Sequence, residues 1–319
     1  MLEFLKSARG IYNTIVVLIC ALLPVFAPMI GQEFFIDVFA RTMIWAIAAI
    51  SLNFIMGYGG MVSFGHAVYF GVGGYAVGIL AFHGVENAYI QWSVGLIASA
   101  FFALIFGIIC LRTKGVYFIM ITLAFAQMMY FLSLSVDAYG SDDGLPIDAR
   151  SDFGLSFFDL NDSLTFYYLI FFLMMGCVYL IRRLVRSRFG MVLRGSMSND
   201  DRMHSIGYPT YGYKLTAFVI AGVMCGLSGI LSANFEDFVS PDMLFWPRSG
   251  ELIFMVVLGG LGTIFGPVGG SLLYWILAEV LSNITEAWHL IFGPFLIIVI
   301  LFASGGLEGL FKKFEKSNE

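Results

Sequence analysis

The chain of 319 residues is 59% hydrophobic and only 12% charged, whereas a soluble domain is nearer half apolar and about a quarter charged. This composition excludes an ordinary soluble domain and indicates a protein surrounded by lipid. The formal net charge of −5 says little about partners, because what matters is the side of the bilayer on which each charge lies, and we expect no nucleic-acid partner.

Ten apolar segments are candidates for membrane-spanning helices, each of which needs about 20 apolar residues. They are 11–30, 38–56, 61–83, 91–111, 116–136, 164–181, 215–233, 250–262, 267–283 and 289–305. The first segment is too long for a typical signal-peptide core and no clean cleavage site follows it, so we interpret it as an uncleaved span. The eighth is short, and it is either a crossing helix or a half-helix that turns back at Gly259 and Gly260.

The distribution of Lys and Arg predicts the orientation, because cytoplasmic loops retain these residues. With the N-terminus inside, all of the 17 basic residues except Arg41, Arg150 and Arg248 lie on the cytoplasmic side. The acidic loop 137–163 then faces outward. The sequence therefore predicts an all-α integral membrane protein that forms a single transmembrane domain over 1–319, with about ten transmembrane helices, some interrupted by glycine or reduced to half-helices, and with both termini cytoplasmic.

The stretch "GYGGMVSFGHAVYFGVGGYA", residues 57–76, contains seven glycines within an apolar region. Two interpretations remain open. Glycines allow helices to approach closely, or they mark a broken helix whose bare backbone lines a polar cavity, since irregular backbone at membrane depth must be buried in protein or wet. Ser63, His66 and Tyr69 are spaced so that they share roughly one helical face.

A second stretch, "LGGLGTIFGPVGGSLLY" at 258–274, resembles the first. Gly259 and Gly260 are followed by Thr263, as Gly59 and Gly60 are followed by Ser63. Transporters often contain internal repeats whose interrupted segments meet at a site. The match involves few residues, so it is weak evidence of a duplication.

The segment 182–214 is the longest cytoplasmic loop of this arrangement. Residues 190–206 are compatible with one amphipathic helix that stops at Gly207 and Pro209. Such a helix lies on lipid or docks into a groove of another protein. The polar centre Ser198–Asp201 carries no excess of Lys or Arg, which favours a protein partner.

The region 188–231 also resembles the cytoplasmic loop and following helix of the M-type permease subunits of bacterial high-affinity branched-chain amino-acid (LIV-type) ABC importers. The residues that carry the resemblance are Gly190, Arg194, Asn199, Asp200, Gly207, Lys214–Leu215, Ala217–Phe218 and Gly226–Gly229. The segments 59–76, 117–128, 140–146 and 256–270 are similar to the same family. Met191, Gly195 and Ser198 depart from it, since these positions are commonly arginine, alanine and acidic, and the docking segment carries less charge than usual.

This resemblance implies a multi-pass subunit of a bacterial cytoplasmic (inner) membrane, paired with a second related permease subunit. Two ATPase subunits would bind the cytoplasmic face, and an external binding protein would deliver a branched-chain or related amino acid. Urea, short amides and aromatic acids are carried by relatives, so the substrate stays open. The residues implied in ATPase coupling are Gly190, Arg194, Ser198, Asn199, Asp200, Asp201 and Gly207.

The residues expected along the substrate pathway or at its gate are those of the glycine-rich stretches and nearby neutral polar groups. They are Asn53, Gly59, Gly60, Ser63, Gly65, His66, Tyr69, Gln127, Gly259, Gly260, Thr263 and Gly266. For His66, a structural hydrogen bond to a backbone carbonyl is an equal alternative. The chain has no GxxxxGK[ST] phosphate loop, so we expect ATP and Mg to be bound by the partner ATPases, and no cofactor or metal by this chain.

Two other classes of function were weighed against this reading. An ion- or proton-coupled secondary transporter or channel for a small polar solute would need ionisable residues within the spans, and the sequence offers few. A membrane-embedded enzyme would need a catalytic constellation, and neither HExxH nor GxSxG occurs in the sequence. We therefore expect a non-catalytic transport subunit.

Overall fold

The computed structural model of the chain describes residues 8–30, 34–154, 160–285, 287–302, 305–307 and 309. The described residues contain twelve α-helices. These are α1 Ala8–Ile30, α2 Phe34–Gly59, α3 His66–Phe82, α4 Ala88–Cys110, α5 Val116–Leu134, α6 Ser163–Arg186, α7 Arg188–Ser198, α8 Asp200–Ser205, α9 Thr210–Glu236, α10 Trp246–Gly259, α11 Gly266–Ser282 and α12 Trp288–Phe302. Each of them except α7 and α8 overlaps one of the predicted spans.

The helices confirm an all-α membrane protein. Five of those in the described residues, α2, α4, α5, α6 and α9, are long and apolar enough to cross a membrane. The 14 residues of α10 extend about 21 Å at 1.5 Å per residue, less than the hydrocarbon thickness of about 30 Å, which favours the half-helix alternative for the eighth segment. The total of ten crossings and the side of the termini stay predictions, and the terminal residues 1–7 and 310–319 lie outside the described residues.

The core is built around α2, which is buried without interruption from Thr42 to Ile55. Helix α9 packs on it, and α3 and α9 pack on each other at backbone distance. A Cβ added to Gly73 of α3 would lie 2.1 Å from the carbonyl oxygen of Gly226 in α9, and one added to Gly229 would lie 1.8 Å from that of Phe70. Close helix packing, one of the two interpretations of the glycine-rich stretch, therefore applies to this part of α3.

The acidic loop 137–163, which is predicted to face outward, is docked onto the helices over its described part; residues 155–159 lie outside the described residues. Its strand β1 (Leu145–Pro146) pairs antiparallel with β2 (Phe238–Val239), which follows α9. Ser151 is buried, and its N–H donates to Asn234 Oδ1 at 2.8 Å while its hydroxyl contacts the side-chain amide of Gln91. The polar residues of this loop thus hold the outer ends of α4 and α9 together.

Candidate functional site

Two short non-helical connectors have the same construction. The first connector, residues 60–65, joins the end of α2 at Gly59 to the start of α3 at His66; the second, residues 260–265, joins the end of α10 at Gly259 to the start of α11 at Gly266. Each begins with a glycine of positive φ, +69° at Gly60 and +115° at Gly260. The N–H of each of these glycines donates to the carbonyl four residues earlier. The weak repeat in the sequence therefore has a structural counterpart. The predicted span 61–83 is wrong at its start, because the helix begins only at His66.

Asn53 holds the second connector against α2. Its Nδ2 donates to the carbonyl oxygen of Thr263 at 2.7 Å, and its Oδ1 accepts from the N–H of Gly262 at 3.0 Å. The side chain is 1% exposed. A Cβ on Gly57, one helical turn further along α2, would lie 2.5 Å from the nitrogen of Gly262. Asn53 and Thr263, both predicted for the pathway, therefore hold the second connector against α2. We call this pair of hydrogen bonds the Asn53 latch.

Hydroxyls from other helices accept from N–H groups at the start of α3 and in the first connector. Such groups have no partner within their own helix. Ser249 Oγ of α10 accepts from the N–H of Ala67 at 2.8 Å, and Thr122 Oγ1 of α5 accepts from the N–H of Phe64 at 3.2 Å. Ser63 Oγ accepts from the N–H of Gly65. Ser63 is thus used within the first connector itself, and the sequence analysis missed Thr122 and Ser249.

His66 is fully buried at the start of α3. Its ring lies edge-on to Tyr69 and Phe218, with centroids 5.6 and 6.5 Å away. Neither ring nitrogen has a hydrogen-bond partner, so the bond to a backbone carbonyl that was considered for His66 is not formed. The structure brings His66 and Tyr69 together as an aromatic packing unit against α9. Gln127, on α5, also has a buried Oε1 without a hydrogen-bond partner.

The expectation of one helix over 190–206 is wrong. Asn199 adopts an extended conformation, with φ −158° and ψ 103°, and separates α7 from α8. Its Oδ1 accepts from the N–H of Arg202 at 2.9 Å, which is the ordinary role of Asn at a helix N-terminus. The backbone break places α7 and α8 against different parts of the molecule.

Helix α7 lies directly on the first connector. A Cβ added to Gly59 would lie 3.3 Å from Leu193 Cδ1, and one added to Gly60 would lie 2.9 Å from Met197 Cγ. At its other end α7 turns tightly against α6, because a Cβ on Gly190 would lie 2.3 Å from the carbonyl oxygen of Val185. The predicted coupling segment, residues 190–206, is therefore in contact with the first glycine pair, Gly59 and Gly60.

Asp200 makes two ion pairs with lysines from other elements. Its Oδ2 is 3.0 Å from Lys114 Nζ in the α4–α5 turn, and its Oδ1 is 3.0 Å from Lys214 Nζ at the start of α9. Burial alone would raise the pKa of Asp200, but hydrogen bonds from Lys214, Thr210 and Lys114 outweigh it and lower the pKa to about 2. The hydrogen bond to Asp200 in turn raises the pKa of Lys114. We call Lys114, Asp200 and Lys214 the ion-pair clamp.

A cavity of about 580 Å³ opens beside the clamp. The first connector, the end of α7 and the start of α9 line it together. Three expected members of the coupling set lie apart from it. Gly190 packs against α6, Arg194 donates to the carbonyl oxygens of Gly190 and Val185, and Gly207 has φ +92° with open space around its Cα. Ser198, Asn199 and Asp201 are exposed beside the cavity.

Comparison with known proteins identifies the family. The family described as "Branched-chain amino acid transport system / permease component" matches residues 34–302. The chain is 26% identical over 295 residues to the high-affinity branched-chain amino acid transport system permease protein LivM of Escherichia coli (strain K12), covering 85% of this chain and 69% of that protein. It is 25% identical over 294 residues to LivM of Salmonella typhimurium, with the same coverage. It is also 24% identical over 146 residues to the probable branched-chain amino acid transport permease protein LivH of Methanocaldococcus jannaschii, covering 43% of each chain.

No solved structure matches this chain. The family match covers most of the described helices, from the start of α2 to the end of α12. It agrees with the likeness of the loop 188–231 and of the glycine-rich stretches. The chain therefore belongs to the family of permease components of branched-chain amino acid transport systems, a class of non-catalytic membrane subunits.

Proposed function

We propose that the chain is a membrane subunit of an ATP-driven importer that takes up branched-chain or related amino acids in a bacterial cytoplasmic membrane. A second related permease would complete the translocation unit, and an external binding protein would deliver the substrate. Two ATPase subunits on the cytoplasmic face would bind ATP and Mg. The names of the LivM relatives support the substrate class and the multi-subunit system.

The observation that carries this proposal is the contact between α7 and the first connector. Ser198 and Asn199 are exposed at the end of α7, while Leu193 is fully buried against the first connector. A protein that moved the exposed end of α7 would displace the first connector, which joins the core helices α2 and α3. Coupling requires two global states that each ligand stabilises differently, and a contact of this kind supports a link between a docked ATPase and the spans.

The proposed function is tested by reconstitution of transport. The chain is purified with its genetic neighbours, inserted into proteoliposomes, and assayed for uptake of labelled leucine, urea, a short amide and an aromatic acid. We expect leucine uptake that requires both ATP inside and the binding protein outside. Uptake that follows a proton gradient and ignores ATP would contradict the proposal and favour a secondary transporter.

Sidedness has a separate test. The four native cysteines are all buried, so Ser198→Cys supplies a single accessible thiol. A membrane-impermeant maleimide should label it in inside-out vesicles and spare it in right-side-out vesicles. Asp142→Cys, in the outer loop, is the matched control with the opposite expected pattern. Labelling of Ser198→Cys from outside would place the segment on the wrong side for an ATPase.

A further inference from the structure

We infer that Asp200 is a positioning residue for coupling, which acts through the ion-pair clamp rather than as a contact for the ATPase. This inference rests on the proposed function. Asp200 faces the molecule, with a side chain 19% exposed between two ammonium groups. The neighbouring Asp201 is exposed. Asp200 therefore faces the two lysines of the clamp, whereas Asp201 faces solvent and is free to meet another protein.

The clamp joins three elements, of which the α4–α5 turn is far from α8 and α9 in the sequence. Lys114 precedes α5, Asp200 opens α8, and Lys214 lies in the first turns of α9. His204 also faces this region, with Nε2 2.8 Å from Thr210 Oγ1. The start of α8 is thus fixed to α9 by one ion pair and to the α4–α5 turn by the other.

The two ion pairs are unequal. The Lys214 side chain is 17% exposed and that of Lys114 is 74% exposed. Ion pairs in solvent are weak and screened by salt, whereas partly buried pairs are screened much less. The pair with Lys214 is therefore the permanent attachment of α8, and the pair with Lys114 is the one that opens and closes.

Each side of the clamp leads to a different part of the core. Helix α9 packs at backbone distance on α3, through Gly226 and Gly229. Helix α5 is buried on a single face, and that face carries Thr122, which accepts the N–H of Phe64 in the first connector. Opening the Lys114 pair therefore releases α5 and the Thr122 contact from the coupling segment, while α8 stays on α9.

The experiment measures the number of ATP molecules hydrolysed per leucine imported in the full complex, together with the amount of ATPase that co-purifies. Lys114→Met should keep the ATPase bound and raise the ATP cost per leucine about twofold, the effect of one exposed ion pair of about 0.5 kcal/mol. Lys214→Met should instead reduce ATPase retention, because α8 loses its attachment. Asp200→Asn should show both defects.

A charge exchange separates this role from a general loss of stability. Asp200→Lys combined with Lys214→Asp re-forms the pair between α8 and α9 and places two cations together at Lys114. ATPase retention should return to the wild-type level while the ATP cost per leucine stays high. Asp142→Asn removes an exposed carboxylate of the loop 137–163, outside both the clamp and the predicted coupling set, and should leave the ATP-to-leucine ratio of the assembled complex as in wild type.

The outcomes distinguish failure of this inference from failure of the proposed function. Wild-type chains that never retain an ATPase, or that import without ATP, would refute the proposed function. If the wild type couples ATP hydrolysis to import but Asp200→Asn and Lys114→Met both keep its ratio of ATP to leucine, the clamp is refuted and the proposed function stands. An equal rise of the ratio in Asp200→Asn and Asp142→Asn would also refute it, since Asp142 is not part of the clamp.

Discussion

The Asn53 latch is the most direct test of how the two connectors are held. Asn53→Leu replaces the amide with an apolar side chain of similar size, so it removes two hydrogen bonds without opening a large cavity. The N–H of Gly262 and the carbonyl of Thr263 then lose their partner. Each unsatisfied buried group costs about 1–3 kcal/mol, and because this site is only partly buried we expect about 2–3 kcal/mol in total.

Thermal unfolding in detergent measures this loss. All four cysteines are buried, so a dye that fluoresces on reaction with thiols reports unfolding. At roughly 2 °C per kcal/mol for a chain longer than 250 residues, Asn53→Leu should lower the midpoint by about 4–6 °C. Asn53→Asp still accepts from Gly262 but cannot donate to Thr263 when ionised, so it should fall between wild type and Asn53→Leu.

A matched asparagine gives the control. Asn87 is exposed and caps α4 through a single bond to the N–H of Tyr89 at 3.0 Å. Asn87→Leu should cost only about 1 kcal/mol and leave leucine uptake unchanged. Equal midpoints for Asn53→Leu and Asn87→Leu would refute the latch, since the second connector would then be held by other contacts.

Three further predictions follow from the same contacts. Gly60→Leu should abolish uptake with the ATPase still bound, because its Cβ would lie 2.9 Å from Met197 Cγ; Gly84→Leu, at a similar φ of +75° but in open space, should retain most uptake. Ser249→Ala removes the acceptor for the N–H of Ala67 and should lower the thermal midpoint by about 2–4 °C, as a lost helix cap of about 1–2 kcal/mol does. The effect of Asp200→Asn on uptake should be the same from about pH 5 to about pH 8. The folded-state pKa of Asp200 is lowered from 3.8 to about 2. Its ion pairs therefore contribute their full stabilisation above the unfolded pKa and lose it only as the pH falls through the folded pKa. A change in the effect of Asp200→Asn within that range would contradict this assignment.

The apolar runs of the sequence predicted where helices occur because a lipid environment demands continuous apolar helix. They did not reveal where a helix is interrupted. Residues 61–65 are apolar or small, and hydropathy cannot distinguish a helical turn there from the non-helical first connector. The glycine pair that precedes them was the available signal, and it did mark the break at Gly60.

The coupling segment illustrates a signal that was present and not used. Asn199 is followed by Asp200 and Asp201, and Asn before acidic residues is a typical helix start. The pattern predicts a new helix at 200 rather than a continuous helix over 190–206. By contrast, Ser249 and Thr122 carry no local sign of their role, because their partners in and near α3 are 182 and 58 residues away.

The contacts at this face form a continuous series from the exposed coupling segment to both connectors. Met197 of α7 meets Gly60, which directly follows α2, and the same end of α2 holds the second connector through Asn53. Because α2 is buried along most of its length and close-packed interiors transmit small displacements, it cannot absorb a push at one connector without moving the other. Glycine at positions 57, 59 and 60 allows α7 and the second connector to approach α2 this closely, and the place of Gly59 and Gly60 on the substrate pathway stays a prediction.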